Sequence, residues 1–303
     1  MTRQSPEAAR AFARYVAVRH RLPRASYPDA PRYAARLAEV AGPYDLILLD
    51  AYGVLNLGDA PIEGAVEAIA ALRAAGKQVM VVSNSAAYGK AHMMQRYARL
   101  GFDFTADEVT TSRAALLVHL ETAPRRRWGM MLNPAHDWGE LAHLDTRFLG
   151  DDRADYDAAE GFLLIGSDGW SAARQGLLEA SLLNDPRPVL VGNPDLVAPR
   201  ETTMSLEPGH FAHQLADLTG IMPEFYGKPF RDVFDLALAR VANPPPPERV
   251  LMVGDTLHTD ILGGAAMGFA TALVSDFGSL AGADVATAIS VADILPNFVI
   301  NRI

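Results

Sequence analysis

Short apolar runs separated by amphipathic stretches recur along the chain, and three of the runs end abruptly in polar residues. Leu46-Ile47-Leu48-Leu49 stops at Asp50, Val79-Met80-Val81-Val82 at Ser83, and Val250-Leu251-Met252-Val253 at Gly254-Asp255. A run that is apolar on both faces predicts a parallel strand buried between two layers, here over 45–50, 77–82 and 250–253. Between the first two, Pro61 to Ala75 predicts a helix. Pro61 stands at an early helical position and Glu63 in the first turn; Ile62, Val66, Ile69 and Leu72 form the apolar stripe, and Gly76 is the stop. Strand, helix and strand at this spacing predict a right-handed βαβ unit. The alternation continues, with helices over 88–100, 112–122, 171–184, 210–220 and 230–242. Short strands are expected over 128–132, 161–165 and 188–191, and a late one near 269–274. Residues 6–21 and 30–41, rich in Ala and Arg, predict two helices ahead of the first core strand. The class is α/β, with a doubly wound parallel sheet. Three divisions are expected: a helical N-terminal extension (1–42), a core (43–86 with 223–303) and an inserted α/β domain (87–222).

Composition narrows the setting. Half of the 303 residues are apolar, enough for a sizeable core. No apolar segment approaches the ~20 residues that span a bilayer, and the stretch from Met1 to Arg24 lacks the continuous apolar run of a secretory signal. No membrane partner is expected, and a cytoplasmic setting fits. The absence of cysteine rules out disulfides and thiolate chemistry. A net charge of −9 argues against nucleic acid as a partner, because phosphate backbones attract basic surfaces. The basic run Arg125-Arg126-Arg127 reads as local solvated surface.

The chemistry gathers at the strand ends. Open α/β sheets build their sites beyond the carboxyl ends of their strands, which is where Asp50 and Asp255 fall. Two such acids, distant in sequence, suggest a hard-cation site that holds an anionic substrate. Asp260 follows Asp255 closely, and Lys228 sits in the loop Gly227-Lys228-Pro229.

Asp50-Ala51-Tyr52-Gly53-Val54-Leu55, Ser83-Asn84, Lys228, and Gly254-Asp255 with Thr259-Asp260 resemble, in order and separation, the four motifs of the haloacid dehalogenase superfamily of hydrolases. The insertion between the second and third motifs carries Gly192-Asn193-Pro194-Asp195 and resembles the class IIA, NagD-like branch. The resemblance implies a Rossmann-like core with a C2-type α/β cap. It also implies Mg²⁺-dependent hydrolysis of a small phosphorylated metabolite, such as a sugar or nucleotide phosphate, through an aspartyl-phosphate. Caps of this branch often mediate dimers, so a homodimer is a further expectation. On the resemblance, Asp50 is the nucleophile and a metal ligand, with the Tyr52 carbonyl and Asp255 as further ligands and Asp260 orienting metal-bound waters. Ser83 and Lys228 hold the phosphate, and backbone amides at Ala51 and Asn84 cradle its oxygens. Asn193 and Asp195 read either as a turn around Pro194 or as cap residues that face the cleft, where Asn193 would bind substrate. A lysine here supplies positive charge that offsets the repulsion between a carboxylate and a phosphate dianion.

One position departs from the pattern. Family phosphatases carry a second aspartate two residues after the nucleophile, as proton donor and later base, and this chain has Tyr52 there. A phenol with a pKa near ~10 is a poor acid for an alkoxide at neutral pH. Four accommodations follow: a leaving group that needs little protonation; a proton from a cap residue or from His258; binding of a phosphorylated ligand without turnover; or haloacid dehalogenation, which protonates no oxygen and needs no metal. The paired acids of the fourth motif and the large insertion favour phosphate chemistry over the last. His258 otherwise reads as a loop histidine with a local hydrogen bond.

Overall fold

A computed structural model describes residues 6–136, 138–199 and 204–303. Its largest element is a seven-stranded, wholly parallel sheet. From one edge to the other the strands are Arg32–Arg36, Phe298–Arg302, Ala270–Val274, Val250–Gly254, Leu46–Leu49, Gln78–Ser83 and Val109–Thr111. The three runs read as buried strands lie side by side at its centre. Alternation of side chains sends Ile47, Leu49, Val79, Val81, Leu251 and Val253 into one core and Leu46, Leu48, Met80, Val82, Val250 and Met252 into the other. Helices cover both faces, so each strand is apolar throughout. The helix expected over 61–75 forms at Ala65–Ala74 with Ile69 and Leu72 buried.

A second parallel sheet of five strands orders Glu224–Phe225, Val189–Val191, Gly161–Leu164, Trp128–Met131 and Thr146–Phe148. It carries its own apolar centre around Phe162, Leu164, Leu178, Leu182 and Leu215. An antiparallel pair, Val197–Pro199 with Met204–Leu206, projects from this lobe. Within the segment 199–204, residues 200–203 lie outside the described residues. No helix among the described residues is long and apolar enough to cross a membrane.

Two expectations are corrected. The helix read over 30–41 is instead the edge strand Arg32–Arg36 followed by a single turn, Leu37–Glu39. Ala and Arg favour a helix locally, but pairing with Phe298–Arg302 satisfies the edge of the sheet, and tertiary pairing overrides weak propensity. The N-terminal 42 residues are therefore not wholly helical. The inserted lobe also begins later than residue 87. The strand Val109–Thr111 pairs with Gln78–Ser83 in the large sheet, which leaves residues from about 123 to 225 for the smaller one.

Candidate active site

The site arises where the two central strands end together. Leu49 is in register with Val253, and the Asp50 amide donates to the Val253 carbonyl at 2.9 Å. Asp50 and Asp255 therefore leave adjacent strands at the same end of the sheet. A wide helical turn, Leu257–Ile261, then brings Asp260 back beneath them. Carboxylate oxygens of Asp50, Asp255 and Asp260 all lie within 4.8 Å of one another. Gly53 has φ +75°, and a Cβ there would meet the Asp255 side chain at 2.9 Å, so only glycine lets the first loop turn this tightly against the second acid.

Lys228 completes the cluster. It is 2% exposed, follows Gly227 and precedes Pro229 through a cis peptide bond. Its Nζ donates to Asp50 Oδ1 and to Asp260 Oδ1, each at 2.6 Å. The other Asp260 oxygen accepts the Thr256 amide at 3.0 Å, so Asp260 is fully engaged and 0% exposed. Asp255 Oδ2 accepts the Ser279 amide at 2.6 Å, and Oδ1 accepts the Thr256 hydroxyl at 3.1 Å.

Two buried carboxyls and the partly buried one of Asp50, gathered beside one ammonium, leave an excess of negative charge. Burial, then repulsion from Asp260 and Asp50, pushes the Asp255 carboxyl far above its ordinary range. Burial likewise raises Asp260 to about 6 against the opposing pull of Lys228. Burial alone would draw the Lys228 ammonium down, but Asp260 and Asp50 outweigh it and hold that group above its ordinary value. A site whose acids resist ionising together, all with oxygen donors, fits a hard divalent cation.

The other predicted residues gather around the same cavity of about 780 Å³, which Asp50, Tyr52, Ser83, Asn84, Asn193, Lys228 and Asp255 all line. Ser83 closes its strand, and its Oγ accepts the Ser85 amide at 3.3 Å. Tyr52, half-buried, sits in the loop that bridges back to Asn56. The Asn84 side chain is a joint rather than a spare donor: Oδ1 accepts the Lys228 amide at 2.7 Å, while Nδ2 donates to the Lys228 carbonyl at 3.0 Å and to Asp195 Oδ1 at 2.8 Å. Asn193 is likewise occupied. Its Oδ1 accepts the Asp195 amide at 3.0 Å and its Nδ2 donates to Glu207 at 3.1 Å, so its side chain holds the lobe's own turn.

Several lining residues escaped the reading of the sequence. Asp195, open in the sequence between a turn and a cleft-facing position, reaches the cavity wall, and burial raises its carboxyl to about 7 despite the Asn84 hydrogen bond. Tyr97, buried on the helix Lys90–Arg99, lines the cavity with a hydroxyl that has no hydrogen-bond partner among the described residues. His258 is 1% exposed, its Nε2 has no partner among the described residues, and burial draws its imidazole down to about 4. The N-terminal helix supplies Phe12 and Tyr15. No local signal could have revealed these contacts, because each joins segments far apart in the chain.

Comparison with known proteins agrees with this geometry. The chain matches the family described as haloacid dehalogenase-like hydrolase over residues 47–145 and that described as HAD-hydrolase-like over 225–303. It is 30% identical to haloacid dehalogenase-like hydrolase domain-containing protein 2 of Bos taurus, over 72% of this chain and 79% of that protein. The chain belongs to the haloacid dehalogenase-like hydrolases, and its α/β lobe inserted between the second and third motifs puts it in their class IIA branch. It is also similar to the glycerol-3-phosphate phosphatase of Homo sapiens, at 27% identity over 91% of this chain and 92% of that one. In fold it resembles a protein from Cytophaga hutchinsonii described as a possible sugar phosphatase, with a TM-score of 0.79 and 24% identity over 90% of this chain and 98% of that chain.

Proposed function

We propose that this chain is a Mg²⁺-dependent phosphatase acting on a small-molecule phosphate monoester, of the sugar- or nucleotide-phosphate type, with Asp50 as nucleophile. The observation that carries the reading is the joint of Asp50, Asp255, Asp260 and Lys228 at one end of two adjacent strands. The phosphatase similarity supports it. In the first step an Asp50 carboxylate oxygen bonds to phosphorus, the ester P–O bond breaks, and the leaving oxygen takes up a proton. In the second, water attacks the aspartyl-phosphate, the acyl P–O bond breaks, and Asp50 is regenerated with release of inorganic phosphate.

Asp50 and Asp255, with the Tyr52 carbonyl, are the groups assigned to hold the cation, and Asp260 positions their surroundings from below. When bound, Mg²⁺ supplies the positive charge that lets a carboxylate approach a phosphate dianion. Lys228, fixed between Asp50 and Asp260, orients the nucleophile and offers charge to a phosphate oxygen, and Ser83 offers its hydroxyl. The lobe from about 123 to 225 acts as the cap.

The proton for the leaving oxygen needs a source other than Tyr52. Of the lining groups, His258 is neutral above about 4 and is a weak donor at pH 7. Asp195 fits better, because burial holds its carboxyl up to about 7. Burial persists when a cation is present, whereas repulsion from Asp50 and Asp260 is then relieved, so the working value lies at or below that figure. The proposal is accordingly a slow or specialised enzyme rather than a general one.

The direct test is release of inorganic phosphate from an aryl phosphate with Mg²⁺. Asp50→Asn should lower it by at least ~10³-fold. Absence of turnover by the wild-type protein, with Mg²⁺ shown to be bound, over a broad panel of esters would favour a phospholigand-binding protein instead. Halide release from a 2-haloacid without metal would favour dehalogenation.

A further inference from the structure

The N-terminal segment has no place in the chemistry above, yet it lines the cavity of the site and touches both lobes. Its helix, Pro6–Val18, turns Ala8, Ala11, Phe12 and Tyr15 to the catalytic cavity, one stripe at helical spacing. On the core side, Tyr15 stacks on His258 with ring centroids 5.1 Å apart and an interplanar angle of 13°, and Phe12 meets the same imidazole edge-on at 5.6 Å. Leu22 then packs with Leu257, Ile261 and Leu262, the turn that carries Asp260. On the other side, Tyr15 and Val18 bury Leu196 between them, and the Leu196 amide donates to the Tyr15 hydroxyl at 3.1 Å. Leu196 is the neighbour of Asp195 in the loop that Asn84 also holds. Two arginines of the segment, Arg14 and Arg21, both bond Asp217 of the inserted lobe at 2.7 Å, and Arg21 also reaches the His213 carbonyl.

We propose that the N-terminal helix is a wall of the active site that clasps the inserted lobe to the core and selects the substrate's leaving group, excluding bulky esters. This rests on the phosphatase reading for its substrate and on the contacts alone for its clasp. The wall is the pair of aromatic rings. Phe12 and Tyr15 fill space that a larger organic group would otherwise occupy, and His258 behind them fixes their position by ring packing. The clasp is the combination of the Leu196 hydrogen bond, the small apolar cluster around it and the paired arginines. Exposed ion pairs contribute little singly, so the buried hydrogen bond and the apolar cluster carry most of the hold. Specificity in this chain would then come from a segment that lies before the core in sequence as well as from the inserted lobe.

Phe12→Ala alters the wall alone, Tyr15→Phe the clasp's hydrogen bond alone, and the double alanine variant both. Phe12→Ala with Tyr15→Ala should raise kcat/KM for a naphthyl phosphate relative to that for a compact glycerol phosphate by ~10-fold or more, the usual scale for opening a pocket by a few carbons. Tyr15→Phe keeps the ring but removes the acceptor, and should speed hydrogen exchange at the Leu196 amide by ~2–10-fold, the worth of one buried hydrogen bond. If the double variant fails to fold, Phe12→Ala alone gives the same ratio test, since Phe12 is only half-buried. A ratio unchanged in a folded variant overturns the wall, and unaltered exchange at Leu196 overturns the clasp. A wild type that turns over neither ester overturns the phosphatase reading and the substrate selection with it. The exchange measurement needs no turnover and decides the clasp in that case too.

Discussion

Tyr52 and Asp195 are the residues on which the rate should turn. Tyr52→Asp would restore a carboxyl two residues after the nucleophile. General acid catalysis is worth ~10²–10⁴-fold, so hydrolysis of alkyl phosphates should rise towards ~10²-fold, and that of aryl phosphates by much less because a phenolate leaves without help. Equal gains on both would show that Tyr52 does not stand at the acid's position. Asp195→Asn keeps an acceptor for the Asn84 amide and removes the titrating proton. If Asp195 is the donor, the wild-type rate falls as pH rises through the ionisation of a carboxyl raised to about 7, and that descending limb disappears in the variant. A steady-state pH profile of kcat with an alkyl ester checks it. Asp50 and Asp255 stood out in the sequence because each follows a run whose burial is obvious from composition, whereas Lys228 stood out only through its resemblance to a family motif. Asp195 stayed open, since Asn-Pro-Asp reads equally as a turn or as a cleft-facing piece of the cap until Asn84 and the cavity are placed beside it.

Among the elements, the two central strands carry the precision of the site. Leu49 is fully buried, directly precedes Asp50 and is paired with Val253. Leu49→Ala should cost ~2–5 kcal/mol through the lost burial and the cavity left behind, seen as a lower midpoint in urea denaturation. Strands apolar on both faces announce themselves, and so do helices with a stop glycine. The edge strand Arg32–Arg36 did not, because an edge is half-exposed and its Ala and Arg residues say helix when read alone. The strand Val109–Thr111 went unread for another reason: its three residues hold little pattern, and the sheet it joins is decided by a partner found elsewhere in the chain.

For the molecule as a whole, the acid cluster links metal, pH and stability. Asp255, Asp260 and Asp195 all have carboxyls raised on folding, so each contributes stability that is present below about 4 and lost as pH rises through its folded value. His258 and His213, both drawn down to about 4, act in the opposite sense: their contribution is present above the ordinary histidine range and lost as pH falls through their folded values. The two sets oppose each other between about 4 and 7, so overall stability is a poor readout and the effect of a cation is a better one. Mg²⁺ favours the ionised acids. At ~100 times its dissociation constant it should add ~2.7 kcal/mol, and the rise in melting temperature it causes should grow from pH 5 to pH 8. Thermal scans with and without Mg²⁺ check this, and Asp255→Asn should reduce the shift.

The sequence alone determined the class of the fold and the order of its central strands' chemistry. Those features depend on local facts: runs too apolar for solvent, glycines that let the chain turn, and polar residues set where a strand must end. Tertiary structure alone decided that Asp50 and Asp255 share one space, that Asn84 and Asn193 spend their side chains on holding loops, and that a helix from the start of the chain walls the cavity. Each of these is a meeting of distant segments. Such meetings are settled by which packing buries the most apolar surface while pairing every buried polar group, a balance that no window of sequence contains.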